Sequence, residues 1–214
     1  MSYAIPTLTR VPATEMGLTI ADFLVPVRVG ERTSPRLRDI GLVLAGALLI
    51  FLTARLSIAL PGSPVPITMQ TFGVLLVGGA LGLRRGGLAA LTYLAVGLVG
   101  VPFFAEGKGG LDVIVGATGG YLVGFVLAAA LVGRLAELGW DRRIGGALGA
   151  TLLGTAVIYA IGVPWLAVVT GMSPAEAIAA GLVPFVVVDV AKLVAAAVVF
   201  PSAWWLVGRR PSDR

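Results

Sequence analysis

The 214-residue chain contains no cysteine and no histidine. The absence of cysteine excludes disulfide bonds and thiol nucleophiles, and without either residue type neither a Ser-His-Asp triad nor a Cys/His metal site can form. Charge is also scarce, because charged residues make up 13% of the chain, about half of their usual share in a soluble domain. Hydrophobic residues make up 57%. The composition therefore predicts an integral membrane protein.

Apolar segments separated by Pro-, Gly- or charge-rich turns predict an all-α integral membrane protein, a compact bundle of six transmembrane helices. A Pro-rich turn follows the first segment and a Gly-rich loop follows the third. Several segments are shorter than the roughly 20 residues of a straight span, so we expect an irregular bundle that encloses a cavity. The six segments cover about residues 39–57, 69–83, 88–101, 116–135, 144–169 and 182–207.

The linker at 170–181 carries the signature of a helix start. Ser173 and Glu176 have the spacing of a capping box, and Pro174 falls at the first helical position. We therefore expect a short surface helix between the fifth and sixth segments.

The positions of the basic residues predict the topology. Thirteen of the sixteen Lys and Arg residues lie before the first segment, in the 2–3 turn, in or next to the 4–5 turn (Arg134 ends the fourth segment), or after the sixth segment. Because cytoplasmic loops carry the excess of basic residues, we expect both termini in the cytoplasm and the 1–2, 3–4 and 5–6 loops outside. This distribution explains the net charge of +5 without a nucleic-acid partner.

Three parts of the chain follow from this topology: a cytoplasmic N-terminal extension at 1–38, the membrane domain at 39–208 and a cytoplasmic tail at 209–214. Within the extension, residues 14–25 are weakly amphipathic. A helix on the membrane surface and a disordered tail remain alternative interpretations of this stretch.

Asp189 and Lys192 are the most informative residues, because they interrupt an apolar stretch near the C-terminus. Residues three apart share one face of a helix. Opposite charges in hydrocarbon are costly unless they meet each other, water or a ligand, and such residues usually line pathways. We therefore expect the pair to bind a polar ligand from outside; the alternative is an ion pair that only sets helix register.

Further candidate residues lie in polar or Gly-rich turns. Gln70 can form hydrogen bonds to a polar ligand through its amide, and the alternative interpretation is a helix start capped by Thr68. The Gly-rich loop offers a cation, apolar rings and close backbone approach, whereas the alternative is a solvent loop that needs tight turns. Its candidate residues are Phe103, Lys108, Gly109 and Gly110.

Two clusters of small residues also have two interpretations. Gly119, Gly120 and Tyr121 open the fourth helix, where free N–H groups suit an anion or carbonyl, and the alternative is close helix packing. Gly41 and Ala45 lie four residues apart on the first helix, a spacing that permits docking of a partner helix or internal packing.

Catalysis is not expected. Asp189 is the one carboxylate well inside the predicted spans, since Asp39 lies at a span end, so an aspartyl dyad cannot form there, and no sequence resembles a phosphate-binding loop. We expect neither a cofactor nor a metal, and ATP hydrolysis, where transport needs it, would come from another chain. A purely structural membrane protein is disfavoured, since it would not need an outward-facing charge pair.

Four motifs follow one another along the chain: PVPITMQTFGVLLVGGALG at 64–82, GLVGVPFFAEGKGG at 97–110, GATGGYLVGF at 116–125 and DVAK at 189–192. In this order they resemble the BioY family, the biotin-specific substrate-binding (S) subunits of energy-coupling factor (ECF) transporters. The resemblance covers about residues 37–208 and does not include the N-terminal extension.

The resemblance implies a multi-pass protein of a bacterial or archaeal cytoplasmic membrane that captures biotin from outside. It implies partners: a transmembrane coupling subunit, which small residues of the first helix (Gly41 and Ala45) would face, and two ABC-type ATPases. Whether the chain also forms a homo-oligomer stays open. An S subunit for a different small vitamin or metabolite is the alternative function.

The resemblance also implies roles for single residues. Asp189 and Lys192 match the family's Asp and Lys, which would hold the bicyclic ring of biotin. Asp189 would accept from a ureido N–H and Lys192 would donate to the ureido oxygen, although Lys192 could instead pair with the biotin carboxylate. Lys108 departs from the small or amide residue of other members and could hold that carboxylate. Tyr121 and the Phe103/Phe104 pair would pack on the thioether ring and the tail.

Overall fold

The computed structural model describes residues 18–25 and 34–207, which form helices and one short β-ribbon. Short 3₁₀ turns lie at Ala105–Gly107, Trp140–Arg142 and Val183–Phe185. In chain order the elements are α1 (Ile20–Leu24), α2 (Pro35–Arg55), β1 (Ser57–Ile58), β2 (Ile67–Thr68), α3 (Gln70–Leu98), α4 (Leu111–Val115), α5 (Gly119–Glu137), α6 (Ile144–Thr170), α7 (Pro174–Gly181) and α8 (Val186–Val207).

Five helical segments within the described residues are long and apolar enough to cross a membrane: α2, α3, α5, α6 and the stretch Pro174–Val207, which comprises α7 and α8. The prediction of a helical membrane protein is therefore confirmed. The first predicted membrane segment is α2, which begins at Pro35 rather than at residue 39, because Ser34 accepts a hydrogen bond from the Leu37 N–H and Pro35 suits the first helical position.

The second and third predicted segments form the two arms of α3, which folds back on itself at Gly82. Gln70 Nε2 donates to the Tyr93 hydroxyl oxygen at 2.7 Å, although the two residues are 23 positions apart. A straight helix would separate them by about 35 Å. The fold therefore contains a helical hairpin within α3.

The turn of this hairpin lies earlier than expected. The charges and glycines at 84–87 suggested a loop, but these residues are helical, and the break is at Gly82, with φ of 84° and ψ of 179°. Only glycine adopts this conformation easily, and a Cβ atom there would lie 2.7 Å from Glu137 Oε1. The same Glu137 oxygen accepts from the Leu83 N–H at 2.9 Å, which satisfies a backbone donor at the turn.

Segment 18–25 packs against the bundle, and we call it the α1 clasp. Ile20 and Ala21 are buried, and Asp22 forms ion pairs with Arg38 at 3.1 Å and Arg85 at 2.8 Å. This part of the extension is therefore neither a disordered tail nor an isolated surface helix. The remaining residues assigned to the extension before residue 34, and the tail at 209–214, lie outside the described residues.

The α1 clasp also reaches the end of α8. The Phe23 ring meets the Trp204 ring edge-on, with the centroids 5.2 Å apart. The Trp204 indole N–H donates to Asp141 Oδ2 at 2.6 Å in the turn between α5 and α6. Burial raises the pKa of Asp141 to about 6, although this hydrogen bond opposes the shift.

Connections on the opposite side of the α3 hairpin hold the start of α3 in place. The β-ribbon pairs Ser57 with Thr68, so the Pro-rich turn at 60–66 lies between its strands. The predicted helix in the linker is present as α7, and its capping box of Ser173 and Glu176 is confirmed. The Ser63 hydroxyl donates to the Ala180 carbonyl at 2.8 Å and so ties the turn to α7.

Candidate binding site

Asp189 and Lys192 form a buried ion pair in α8. Lys192 Nζ lies 2.7 Å from Asp189 Oδ1, and the residues are 6% and 5% exposed, respectively. Lys192 Nζ also donates to the Thr68 carbonyl oxygen at 2.7 Å and to Thr71 Oγ1 at 2.9 Å. The two charges contact each other, and the β-ribbon and the start of α3 complete the surroundings of Lys192; binding of a ligand by the pair stays a prediction.

The second carboxylate oxygen of Asp189 has a different partner. The Tyr159 hydroxyl of α6 donates to Asp189 Oδ2, and the Thr71 hydroxyl lies 3.4 Å from Asp189 Oδ1. Four elements (β2, α3, α6 and α8) therefore converge on one polar cluster. A polar cluster inside an apolar bundle is stable when its donors and acceptors are satisfied, which is the arrangement observed.

The polar cluster lies in the wall of a cavity of about 340 Å³, near the lower end of the roughly 300–1,000 Å³ typical of small-molecule sites. Much of the wall is apolar or aromatic. A ligand with a polar head and an apolar body suits this combination. The apolar wall includes Val65, Phe104, Val113, Tyr121, Leu122, Phe125, Ile158 and Phe185.

Five of the predicted substrate-binding residues line this cavity: Gln70, Lys108, Tyr121, Asp189 and Lys192. The structure thus brings together residues from α3, α5, α8 and the Gly-rich loop, and the first and last of them, Gln70 and Lys192, are more than a hundred positions apart in the chain. The Tyr121 hydroxyl donates to the Gly181 carbonyl at 2.8 Å, so its ring is held in place by α7.

The other five predicted binding residues are not part of the cavity wall. Phe103 stacks on Phe51, with ring centroids 4.4 Å apart, and the neighbouring Phe104 faces the cavity instead. The two adjacent rings thus point to different sides of the loop: Phe104 faces the cavity and Phe103 faces α2. Of the expected Phe103/Phe104 pair, the structure therefore places Phe104 in the cavity wall, and ligand contact by Phe103 stays a prediction.

The four predicted binding glycines have structural roles. A Cβ atom at Gly109 would collide with the Val101 carbonyl oxygen, and Gly110 has φ of 97° at the start of α4. Cβ atoms at Gly119 and Gly120 would collide with the Ile114 carbonyl and Trp165, respectively. Tight turns and close packing, the alternative interpretations, account for these glycines.

Tyr159, Thr71 and the Thr68 carbonyl were not assigned to the site from the sequence. Tyr159 could have been noticed as a phenol inside the apolar fifth segment, where a hydroxyl needs a partner. Thr71 offers no such signal, because it lies in the first turn of α3 and nothing in the neighbouring sequence marks it. Its role depends on where α8 packs.

Lys108 occupies a more open position than the ion pair. Its side chain is 62% exposed, and Nζ pairs with Glu106 Oε2 at 2.5 Å. A partly solvated cation at the wall of a cavity can attract an anionic group, although solvent screens the interaction. Among the described residues, no cluster of three His, Cys, Asp or Glu side chains suits a metal ion.

Gly41 and Ala45 lie on the exposed face of α2. A Cβ atom built on Gly41 meets nothing within 4 Å, and Ala45 is also exposed. The adjoining Gly46, in contrast, is packed against Ala89 and Leu81, each 2.8 Å from a built Cβ atom. One face of α2 therefore packs inside the bundle, while the face with Gly41 and Ala45 is exposed in the described part of the chain.

Membrane-spanning helices around a cavity with a buried ion pair define a class: membrane proteins that bind a small solute. Comparison with known proteins identifies the family. The model of the BioY family matches residues 26–209. The chain belongs to the BioY family, and it is an integral membrane protein like the other members.

Individual relatives agree with this assignment. The chain is 41% identical over 158 residues to a biotin transporter BioY from Thermotoga maritima, covering 74% of this chain and 92% of the relative. It is 36% identical over 168 residues to a biotin transporter BioY from Rhizobium etli, covering 75% and 89%.

A solved structure has a similar fold. It is a crystal structure of the S-component for biotin from an ECF-type ABC transporter, with a TM-score of 0.72 and 25% identity. The match covers 79% of this chain and 93% of the solved chain.

Proposed function

We propose that this chain is the biotin-binding S subunit of an ECF transporter and mediates biotin uptake across the cytoplasmic membrane. The observation that carries the proposal is the buried Asp189–Lys192 pair in the wall of a mostly apolar cavity, in a chain of the BioY family. The identity of the substrate is inferred from the relatives, which are named biotin transporters, and from the similar S-component for biotin.

The chemistry of the cavity suits the two ends of biotin. The ureido group has N–H donors and a carbonyl acceptor, which complement the Asp189 carboxylate and the Lys192 ammonium. The aromatic side chains of Tyr121 and Phe104 provide apolar surface for the thioether ring and the tail. Lys108 is the cation closest to solvent in the wall and is proposed to attract the tail carboxylate.

The proposed topology has six crossings with both termini in the cytoplasm. The two arms of the α3 hairpin count as separate crossings, which together with α2, α5, α6 and α8 give six. The ends near Arg85, Arg142 and Arg143 are then cytoplasmic, as the positive-inside rule requires. The β-ribbon, the Gly-rich loop and α7 are outside, where biotin enters.

The chain is a transporter component and not an enzyme, as its family indicates. Energy is proposed to come from two separate ABC-type ATPases through a transmembrane coupling subunit that docks on α2 at Gly41 and Ala45. An S subunit for another small vitamin is the second candidate, since cavity shape decides selectivity among such ligands.

Equilibrium binding of labelled biotin to the detergent-purified chain tests the proposal, with desthiobiotin, thiamine and riboflavin as competitors. We expect saturable binding that excess biotin blocks and that thiamine and riboflavin leave unchanged. A well-folded sample without biotin binding would reject the biotin assignment and favour the second candidate. Thermal unfolding monitored on the same sample separates loss of binding from loss of fold.

A further inference from the structure

The Lys192 ammonium donates hydrogen bonds to three oxygen atoms of the protein. They belong to the Thr68 carbonyl at 2.7 Å, the Asp189 carboxylate at 2.7 Å and the Thr71 hydroxyl at 2.9 Å. An ammonium has three N–H donors. Each of them therefore has a protein acceptor already, and a ligand oxygen can bind Lys192 only by displacing one of the three.

Asp189, unlike Lys192, can form a further hydrogen bond without losing an existing one. Its carboxylate receives Lys192 and the more distant Thr71 at Oδ1, and Tyr159 at Oδ2. A carboxylate offers about four lone-pair sites, so Oδ2 keeps a site for one more donor. A ligand N–H can thus donate to Asp189 Oδ2 beside Tyr159 without displacing a protein group. A ligand carbonyl, in contrast, must replace one of the three protein acceptors of Lys192.

Thr71 is the acceptor that yields most easily in such an exchange. The Thr68 carbonyl is held by the β-ribbon, in which Thr68 pairs with Ser57, and Asp189 is bound through opposite charge. The Thr71 hydroxyl is neutral and makes the longest of the three contacts. The Thr71 O–H itself donates to Asp189 Oδ1 at 3.4 Å, and this contact remains available when the bond from Lys192 is lost.

We propose that Thr71 is a specificity-determining residue of this site, whose hydroxyl occupies the Lys192 donor that the ligand's ureido carbonyl takes over. When the carbonyl binds, the Thr71 hydroxyl gives up Lys192 and keeps Asp189 as its acceptor. The inference rests on the proposed biotin function. Its consequence is selectivity, since only a ligand with a carbonyl acceptor beside its N–H donors recovers the bond that Thr71 surrenders.

Substitution of Thr71 tests the exchange, because the inference predicts an unusual combination of effects. Thr71→Val keeps the shape of the side chain and removes the competing hydroxyl. We expect biotin to bind about ten- to a hundredfold more tightly, which corresponds to the net value of one hydrogen bond to a charged group, while the melting temperature without biotin falls. Thr71→Ser keeps the hydroxyl and is the matched control, expected to retain wild-type affinity.

A purely structural role predicts a lower melting temperature without any gain in affinity. Desthiobiotin, which keeps the ureido carbonyl, should show the same gain with Thr71→Val, and diaminobiotin, which lacks that carbonyl, should show none. Biotin binding by the wild type together with unchanged or weaker binding by Thr71→Val overturns the inference alone. Absence of binding by the wild type overturns the proposed function and this inference with it. Thr71→Ala repeats the test if Thr71→Val does not fold.

Discussion

Asp189 and Lys192 compensate each other's charge inside an apolar helix bundle, so substitution of either residue leaves the charge of the other unpaired. An unpaired buried charge costs about 3–5 kcal/mol. We expect Asp189→Asn and Lys192→Met each to weaken biotin binding by about 100-fold or more, measured by equilibrium binding in detergent.

The double variant Asp189→Leu/Lys192→Met separates binding from folding. Replacing a buried ion pair by apolar side chains is often neutral or stabilising, so we expect a melting temperature at or above those of the single variants. Biotin binding should still be lost. Wild-type affinity in both single variants would show that the pair is not the ligand site.

Lys108 should contribute less than the buried pair, because its side chain is 62% exposed and shares its charge with Glu106. We expect Lys108→Ala to weaken biotin binding about two- to fivefold, with a smaller effect at high salt. Glu106→Gln is the paired variant and should leave binding unchanged or tighter. Biotin methyl ester, which lacks the carboxylate, should not respond to Lys108→Ala; an equal loss for both ligands would contradict this role.

At the scale of elements, the α1 clasp depends on Asp22 between two arginines. Burial by itself would raise the pKa of Asp22, but hydrogen bonds from Arg85 and Thr19 hold the pKa at about 2, below the usual 3.8. A carboxylate with a lowered pKa stabilises the fold above its ordinary pKa, and that contribution is lost as the pH falls through the folded-state pKa.

Asp22→Asn should therefore lower the free energy of unfolding by roughly 1–2 kcal/mol at neutral pH, after allowance for solvent screening. The difference from the wild type should shrink between about pH 4 and pH 2. Thermal unfolding in detergent across this range measures it. Asp39→Asn is the matched control: Asp39 contacts the same two arginines but its side chain is 49% exposed, so a smaller loss is expected. Equal stability of wild type and Asp22→Asn at pH 7 would contradict a stabilising clasp.

The α3 hairpin shows why element boundaries are hard to read from the sequence. Hydrophobicity and the two arginines correctly indicate two apolar stretches with a break between them. The break itself lies at Gly82, where Glu137 of α5 accepts from the Leu83 N–H, and the helical Arg85 beyond it pairs with Asp22. These partners are distant in sequence, so a local pattern cannot locate the turn.

At the scale of the whole molecule, α2 divides into an internal face and an exposed face. Gly41→Leu and Ala45→Leu add bulk where the bundle has room, so the isolated chain should keep its melting temperature and its biotin affinity. Docking of a coupling subunit needs close approach of helices, so we expect loss of co-purification with the coupling subunit and its ATPases.

Two controls sharpen this expectation. Ala195→Leu makes the same change on an exposed position of α8 and should not affect assembly. Gly46→Leu, on the internal face of α2, should instead destabilise the chain itself, because its side chain would collide with Ala89 and Leu81. Normal assembly of both exposed-face variants, Gly41→Leu and Ala45→Leu, would exclude this face as the docking surface.

The sequence by itself determined the membrane class, the apolar helical segments, the α7 capping box and the placement of Asp189 and Lys192 on one face of a helix. Each of these follows from local composition or from residues three or four positions apart. The tertiary structure decided that Phe104 rather than Phe103 faces the cavity, that Gly119 and Gly120 serve packing, and that Thr71 and Tyr159 complete the polar cluster. Those facts depend on how α3, α5, α6 and α8 pack, and such long-range contacts leave no local pattern in the chain.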